Sequence, residues 1–258
     1  MLEHGRSETI IGRWLAGRAN RDRVVLATKV GGGRGPFRNL RADTIEHEAH
    51  ASLQRLQTDR IDLYYAHFDD EQTPLEQSLA AFDALVRAGT VRHLGASNYS
   101  PARLTAALEL QRERGWAPFT VLQPHYNLVE REFERSLRAV ADAWQLAVVP
   151  YYGLAKGFLT GKYRPGGGAV DSPRADRARV YLDDRGAAVL EALDEVARAH
   201  ATTLAAVALA WLRAQPPVLA PIASARSTEQ LAEILPAATL TLTAAQLDRL
   251  TAAGSGSR

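Results

Sequence analysis

Short apolar runs alternate along the chain with segments whose apolar residues recur at helical spacing. Six runs stand out: VVLATK (24–29), IDLYYAH (61–67), VRHLGASN (91–98), TVLQPHYN (120–127), LAVVPYY (146–152) and VLAPIASA (218–225). They are nearly continuous rather than alternating, as expected of strands covered on both faces. Between them lie amphipathic segments near 7–18, 43–57, 75–88, 101–114, 131–144 and 227–235, with two more helices expected at about 186–200 and 203–214. Strand–helix alternation of this kind builds a parallel sheet. Six strands without an evident reversal point to a barrel, with a doubly wound open sheet as the alternative. Ser100-Pro101 predicts an N-cap followed by proline at the first helical position. Ser227-Thr228-Glu229-Gln230 predicts a capping box, with Gln230 reaching back to the cap. Residues 164–185 are polar and Gly/Pro-rich and predict a long loop, a feature that in a compact domain is functional or disordered. The final GSGSR reads as a frayed tail.

Composition narrows the class. A chain of 258 residues with 46% in the hydrophobic set suits one α/β barrel of roughly 250 residues, so residues 1–258 read as a single domain. The formal charge of +2 comes from arginines scattered among acids, which argues against a nucleic-acid partner. The chain has no cysteine, which excludes disulfides, thiolate metal sites and a cysteine nucleophile, and fits a cytoplasmic location. No apolar stretch approaches the ~18 residues of a membrane span, and the first residues lack the apolar core of a signal peptide.

The strand ends are polar: Lys29, His67, Ser97-Asn98, Gln123, Tyr151-Tyr152 and Ser224 through Arg226. In a parallel α/β barrel reactive groups sit at these carboxyl ends. Lys29 and His67 would point into one cavity. On spacing alone they read equally well as a solvated strand-end lysine and a hydrogen-bonding loop histidine.

The set as a whole is more specific. IDLYYAH, GTVRHLGASNYS, PYYGLAKGFLTGKY and PIASARSTEQL, in that order, resemble the aldo-keto reductases, over a span from about Ser7 to about Leu250. The resemblance implies a (β/α)8 TIM barrel that uses NADPH/NADP+ and reduces the carbonyl of a small-molecule substrate. It implies that Lys29 is the lysine of the family's catalytic tetrad and His67 its histidine. Ser97, Asn98 and Gln123 would bond the nicotinamide carboxamide, and Tyr151 would stack on its ring. Leu154, Gly157, Leu159, Gly161 and Lys162 would line the pyrophosphate loop. Ser224, Arg226, Gln230 and Glu233 would face the adenosine end. A capped helix start is a ready anion site, and a guanidinium beside it takes a 2′-phosphate as a planar fork. Ile234 stands where family members often carry asparagine.

Other motifs carry less. GFLTGKY (157–163) has the wrong glycine spacing for a phosphate-binding P-loop. Gly31 to Gly35 reads as a flexible loop on the substrate side. His47 and His50 lie one turn apart on a polar helix without a third ligand, so no metal site is expected. His125 follows Gln123 by two residues and would reach the substrate only from a distance.

The family mechanism uses four side chains. A tyrosine is the general acid, a lysine lowers its pKa, an aspartate pairs with the lysine, and a histidine orients the carbonyl. The tyrosine and aspartate come from a D-x-A-x-x-Y segment upstream of G-x-S-E. Gly5-Arg6-Ser7-Glu8 matches that last motif, so the expectation is a barrel whose first two strands, with the tyrosine and aspartate, lie outside these residues. Tyr64, Tyr65 and Tyr99 do not substitute by position. Two alternatives follow: a non-catalytic NADPH-binding relative acting as a sensor or subunit, and a Schiff-base lyase using Lys29. Nothing in the sequence sets the oligomeric state or the particular substrate.

Overall fold

The computed structural model describes residues 5–32, 38–164, 166 and 175–255. It divides into two compact units, Met1–Gln123 with Ala143–Leu146, and Pro124–Asp142 with Ala147–Arg258.

Among the described residues of the first unit, four strands form a parallel sheet in sequence order: β1 (Ala27–Val30), β2 (Ile61–Ala66), β3 (Val91–Ser97) and β4 (Phe119–Gln123). Helices α1 (Arg6–Ala16), α2 (Ala42–Leu56), α3 (Leu75–Arg87) and α4 (Pro101–Arg114) alternate with them. Each α2–α4 crossover returns the chain to a parallel neighbour, as the alternating pattern requires. Ser100 caps α4 as expected, its side chain accepting from Arg103 N, with Pro101 in the first turn.

Successive strand residues face opposite sides of a sheet. One face packs on helices: Tyr64, Ala66, Leu94, Ala96 and Leu122 are buried, and the Tyr64 hydroxyl donates to Ile45 O of α2. The opposite face carries Ala27, Lys29, Leu63, Tyr65, His93 and Val121. Ala27 and His93 are exposed there, and Lys29, Leu63 and Val121 only half-buried. The apolar runs are therefore continuous in sequence, but the described residues cover the sheet fully on the helix side alone, and the sheet is open rather than closed.

In the second unit only Ala147–Val148 forms a strand (β5) out of the 146–152 run. The expected strand at 218–225 is an extended segment with one parallel bridge, Val148 to Val218. Its ladder ends after three bonds: Val148 N to Pro217 O, Leu219 N to Val148 O and Ile222 N to Pro150 O. Pro221 has no N–H to offer, which is why a sequence rich in strand formers stops pairing here. The single helix expected at 131–144 is two short ones, α5 (Glu132–Arg135) and α6 (Arg138–Ala143), broken at Ser136.

Of the 164–185 loop, α7 (Ala175–Arg179) is ordered as a helix, while 165 and 167–174 lie outside the described residues. Helices α8 (Asp184–Ala199) and α9 (Leu204–Arg213) match the expectation. They are followed by α10 (Thr228–Ile234) and by α11 (Ala244–Ala253), which the sequence pattern did not reveal. The full capping box belongs to α11, between Thr243 and Gln246. At α10 only half of the box forms. Ser227 accepts from Gln230 N, but the Gln230 side chain accepts from Arg226 N, one residue before the cap. No described helix is long and apolar enough to cross a membrane.

Candidate active site

The polar carboxyl ends of β1 to β4 meet in the first unit. Lys29 pairs with Tyr65 across the β1–β2 ladder, and its ammonium lies 5.2 Å from the Tyr65 ring centroid. Among the described residues no carboxylate pairs with it, and burial pushes its pKa down. One step beyond β2, His67 N donates to Val30 O at 2.9 Å. Its imidazole stacks on Phe68 with centroids 4.6 Å apart. Burial first, and the Lys29 cation second, hold its pKa below the ordinary value. Lys29 and His67 thus share the open face of the sheet and feel each other's charge.

A relay of amide and hydroxyl groups fixes the neighbouring strand ends. Asn98, in left-handed backbone conformation with φ 58°, donates from Nδ2 to His67 O at 2.8 Å and to Ser97 Oγ at 3.0 Å. Ser97 Oγ donates to Gln123 O at 2.9 Å. The Gln123 side chain is hydrogen-bonded to Tyr65, whose pKa burial nonetheless raises. The structure therefore brings together Lys29, His67, Ser97, Asn98 and Gln123.

One close contact at the site was not foreseen from sequence. Gly32 lies so close to His67 that a Cβ there would fall 2.0 Å from Nδ1; the Gly31–Gly35 segment was expected to be a flexible loop. Gly33, Arg34 and Gly35 lie outside the described residues, but Gly31 and Gly32 are packed. Beside them is a cavity of about 350 Å³ lined by Gly31, Arg38, Asn39, Phe68, Asp69, Asp70, Glu71, Asn98 and Ser100.

The second unit holds the remaining candidates. Tyr151 N donates to Pro124 O at 3.0 Å, and the Tyr151 ring stacks on His125 at 5.2 Å with 10° between planes. Burial raises the pKa of Tyr151, with smaller contributions from Tyr152 and Glu130. The Nε2 atom of His125 is buried without a hydrogen-bond partner among the described residues, and burial is the main force lowering its pKa.

The segment Ala155–Thr160 is a 3₁₀ turn with a kink. Ala155, Lys156, Gly157 and Gly161 have φ of 46°, 59°, 101° and 78°. Glycine meets no steric cost in such a left-handed bend. Leu159 is fully buried, and Leu154 packs against the cluster of Ala206, Leu209 and Ala237, so both anchor this loop. Lys162 is exposed, its ammonium 5.2 Å from the Tyr163 ring. Lys156 Nζ donates to the Tyr181 hydroxyl at 3.1 Å, which donates to Glu130 at 2.8 Å.

Ser224, Arg226, Gln230 and Glu233 are all exposed. The free helix start expected there is largely absent. Helix α10 has seven residues, Gln230 N is already capped by Ser227, and the Gln230 side chain is engaged by Arg226 N. What stands out at this position is the exposed Arg226 guanidinium, with no carboxylate paired to it among the described residues. His50 bonds Glu46 O on its own helix, and no cluster able to hold a metal occurs among the described residues.

Polar and titratable side chains gathered at the carboxyl ends of parallel strands are the arrangement in which α/β barrels carry their active sites. The chain belongs to the aldo/keto reductase family, whose model matches residues 3–255 and whose fold is the (β/α)8 barrel. It is 35% identical over 247 residues to the uncharacterized oxidoreductase YrpG of Bacillus subtilis, covering 92% of this chain and 74% of that protein. It is 32% identical over 248 residues to norsolorinic acid reductase of Aspergillus flavus, with 92% of this chain matched. Protein tas of Escherichia coli is 30% identical over 253 residues, covering 88% of this chain and 73% of that protein. The chain spans 62% of the length of the norsolorinic acid reductase.

Proposed function

We propose that this chain provides the lysine and histidine of an NADPH-dependent reductase acting on aldehyde and ketone carbonyls. The observation that carries the proposal is the placement of Lys29 and His67 at neighbouring strand ends on the same face of the sheet, where burial and, to a smaller extent, the Lys29 charge lower the imidazole pKa. A neutral imidazole donates one hydrogen bond to a carbonyl oxygen without drawing in a counter-ion. Lys29 supplies a desolvated positive charge that favours the ionised form of a neighbouring proton donor. In the family pattern that donor is a tyrosine upstream of the position of Gly5. A bound nicotinamide would supply the hydride.

The residues present fit such a cofactor. The left-handed turn at Gly157 and Gly161 brings backbone close to the surface, with the cations Lys156 and Lys162 on the same loop, a setting suited to a pyrophosphate. Tyr151 offers a half-buried aromatic ring, which suits stacking. In this proposal Ser97, Asn98 and Gln123 bond the carboxamide. The exposed, acid-free surroundings of Arg226 support a role for it in holding a 2′-phosphate. Calorimetric titration tests this: Arg226→Ala should weaken NADPH by about tenfold, the loss of a charge-assisted bond, and leave NADH within about twofold. Equal loss of both would remove Arg226 from the role, and binding of neither by the wild-type chain would defeat the proposal.

One observation favours a second function. Lys29 is desolvated and unpaired among the described residues, the state in which an amine attacks carbonyls. Borohydride trapping of a carbonyl compound on Lys29 would favour a Schiff-base lyase over a reductase.

A further inference from the structure

We infer that Tyr65 is a positioning residue for the cofactor: reaching from β2 across β3, it fixes the side-chain amide of Gln123 so that the amide oxygen is left to meet the carboxamide NH2 of a bound nicotinamide. The inference rests on the proposal that Gln123 bonds the carboxamide. All the residues it uses lie in the first unit. Lys29, Tyr65, Gly95 and Val121 stand in one register row on the open face of the sheet. Gln123 follows Val121 by two residues, so its side chain leaves β4 on the same face. A tyrosine on β2 reaches it only by crossing β3, and Gly95 is the residue in its way. A Cβ at Gly95 would fall 2.5 Å from both Cδ1 and Cε1 of the Tyr65 ring. The ring therefore occupies the space that any other side chain at this strand position would fill.

The crossing ends in a hydrogen bond between the Tyr65 hydroxyl and the Gln123 side chain. That bond acts against the rise that burial causes in the Tyr65 pKa, the effect of an N–H donated to the phenol oxygen. Gln123 thus spends an amide N–H on Tyr65 and keeps its carbonyl oxygen as an acceptor. Its backbone is fixed separately, by Ser97 Oγ donating to Gln123 O. Asn98 is held in the same sense, its Nδ2 donating to His67 O and to Ser97 Oγ. Tyr65 and Gln123 are 1% and 4% exposed, so water does not compete for their bond. Turning the amide over would leave a buried group unpaired. The ring also faces the Lys29 ammonium, 5.2 Å from its centroid, a contact made by the ring and not by the hydroxyl. Phenylalanine at position 65 therefore keeps the packing on Gly95 and Lys29 and removes only the hold on Gln123.

The test is calorimetric binding of NADP+ and of its 3-acetylpyridine analogue, which has the same charge and nearly the same shape but a methyl group in place of the carboxamide NH2. The wild-type protein should prefer NADP+ by about tenfold, the value of one bond to a buried acceptor. Tyr65→Phe frees the Gln123 amide to turn and should narrow that preference to about threefold or less, chiefly by weakening NADP+. A merely structural role for the hydroxyl would weaken both nucleotides alike and leave their ratio unmoved. In the protein without nucleotide, Tyr65→Phe should also shift the Gln123 side-chain NH2 resonances in NMR spectra. A preference that stays near tenfold in Tyr65→Phe, or no preference in the wild type, would overturn the role of Tyr65 while leaving the cofactor reading intact. Binding of neither nucleotide by the wild type is a different result: it would defeat the cofactor reading, and the role of Tyr65 with it.

Discussion

Gly32 offers the sharpest test of how the site is held. Its backbone is outside the left-handed region, so alanine adds no backbone strain there. The added Cβ would fall 2.0 Å from His67 Nδ1, 2.8 Å from Cε1 and 2.9 Å from Cγ. Ordinary contact begins near 3.4 Å, so the imidazole must retreat by about 1.5 Å, and the Phe68 ring stacked on it must follow. Misplacing a reacting group by about 1 Å costs on the order of 10²-fold. Gly32→Ala should therefore lower kcat/KM for carbonyl reduction by about 10²-fold, or about 2.7 kcal/mol of transition-state stabilisation. Overpacking should also cost about 1–3 kcal/mol of stability in urea unfolding. Gly17→Ala is the control: its nearest contacts would be at 3.6 Å and 4.0 Å, and it should change stability by no more than about 0.5 kcal/mol. The two effects separate by NMR, because a displaced imidazole shifts the His67 ring resonances whether or not stability changes. Wild-type turnover together with unshifted His67 resonances would refute the claim that glycine at this position sets the imidazole.

Four further outcomes follow from the electrostatics and caps. His67 has a folded pKa below its ordinary 6.5, so the unfolded chain binds the proton more tightly, and stability falls as pH drops from about 6.5 through the folded value. His67→Gln should flatten that acid limb in pH-dependent urea unfolding. Lys29→Met should raise the NMR titration midpoint of His67, but only partway, since burial is the larger cause; an unchanged midpoint would mean that the two groups do not interact. Asp62 is buried, accepts from Leu26 N at 2.9 Å and faces Arg21 at 2.7 Å and Arg92 at 3.0 Å. Asp62→Ala leaves those partners unmatched and should cost about 3 kcal/mol, with a loss below about 1 kcal/mol counting against it. Thr243→Ala removes the capping box of α11 and should cost about 1 kcal/mol in thermal or urea unfolding.

The parts of this fold legible in sequence are those where a local signal and the tertiary context agree. Ser100-Pro101 starts α4 because the hydroxyl and the ring each solve a problem of the first turn. The apolar runs place Lys29 and His67 at neighbouring strand ends, as the structure has them, but spacing alone does not distinguish a chemical role from a solvated lysine and a loop histidine. Other features depend on neighbours far along the chain. VLAPIASA reads as a strand by composition, but Pro221 withholds an N–H that only the partner segment at 148–150 makes necessary. Ser227-x-x-Gln230 satisfies the capping pattern, yet the Gln230 side chain finds Arg226 N instead of the cap. Thr243-x-x-Gln246 has the same pattern, was not singled out, and forms the box in full. Gly32 belongs to a glycine-rich stretch that reads only as a loop, and its fit comes from packing against His67, far along the chain.

The catalytic candidates are held by strand register as much as by their own contacts. In β1, Thr28 turns toward the helices, where its hydroxyl donates to Glu8, itself bound by Arg55, and Lys29 turns to the open face. A slip of one residue would exchange them, placing an ammonium among Glu8, Arg55 and Ser52 and a hydroxyl beside His67. The observed register is marked by backbone bonds at both ends of the β1–β2 ladder, while side chains select it. Leu63 N donates to Leu26 O, and His67 N donates to Val30 O. At the amino end the Asp62 carboxylate also accepts from Leu26 N, tying down a residue three positions before Lys29. The acid hub of Asp62, Arg21 and Arg92 lies at the opposite end of the strands from the site and makes no contact with Lys29. Its bond to Leu26 nonetheless helps decide which face Lys29 presents, so a variant at Asp62 that still folds should disturb the His67 titration as well as the stability.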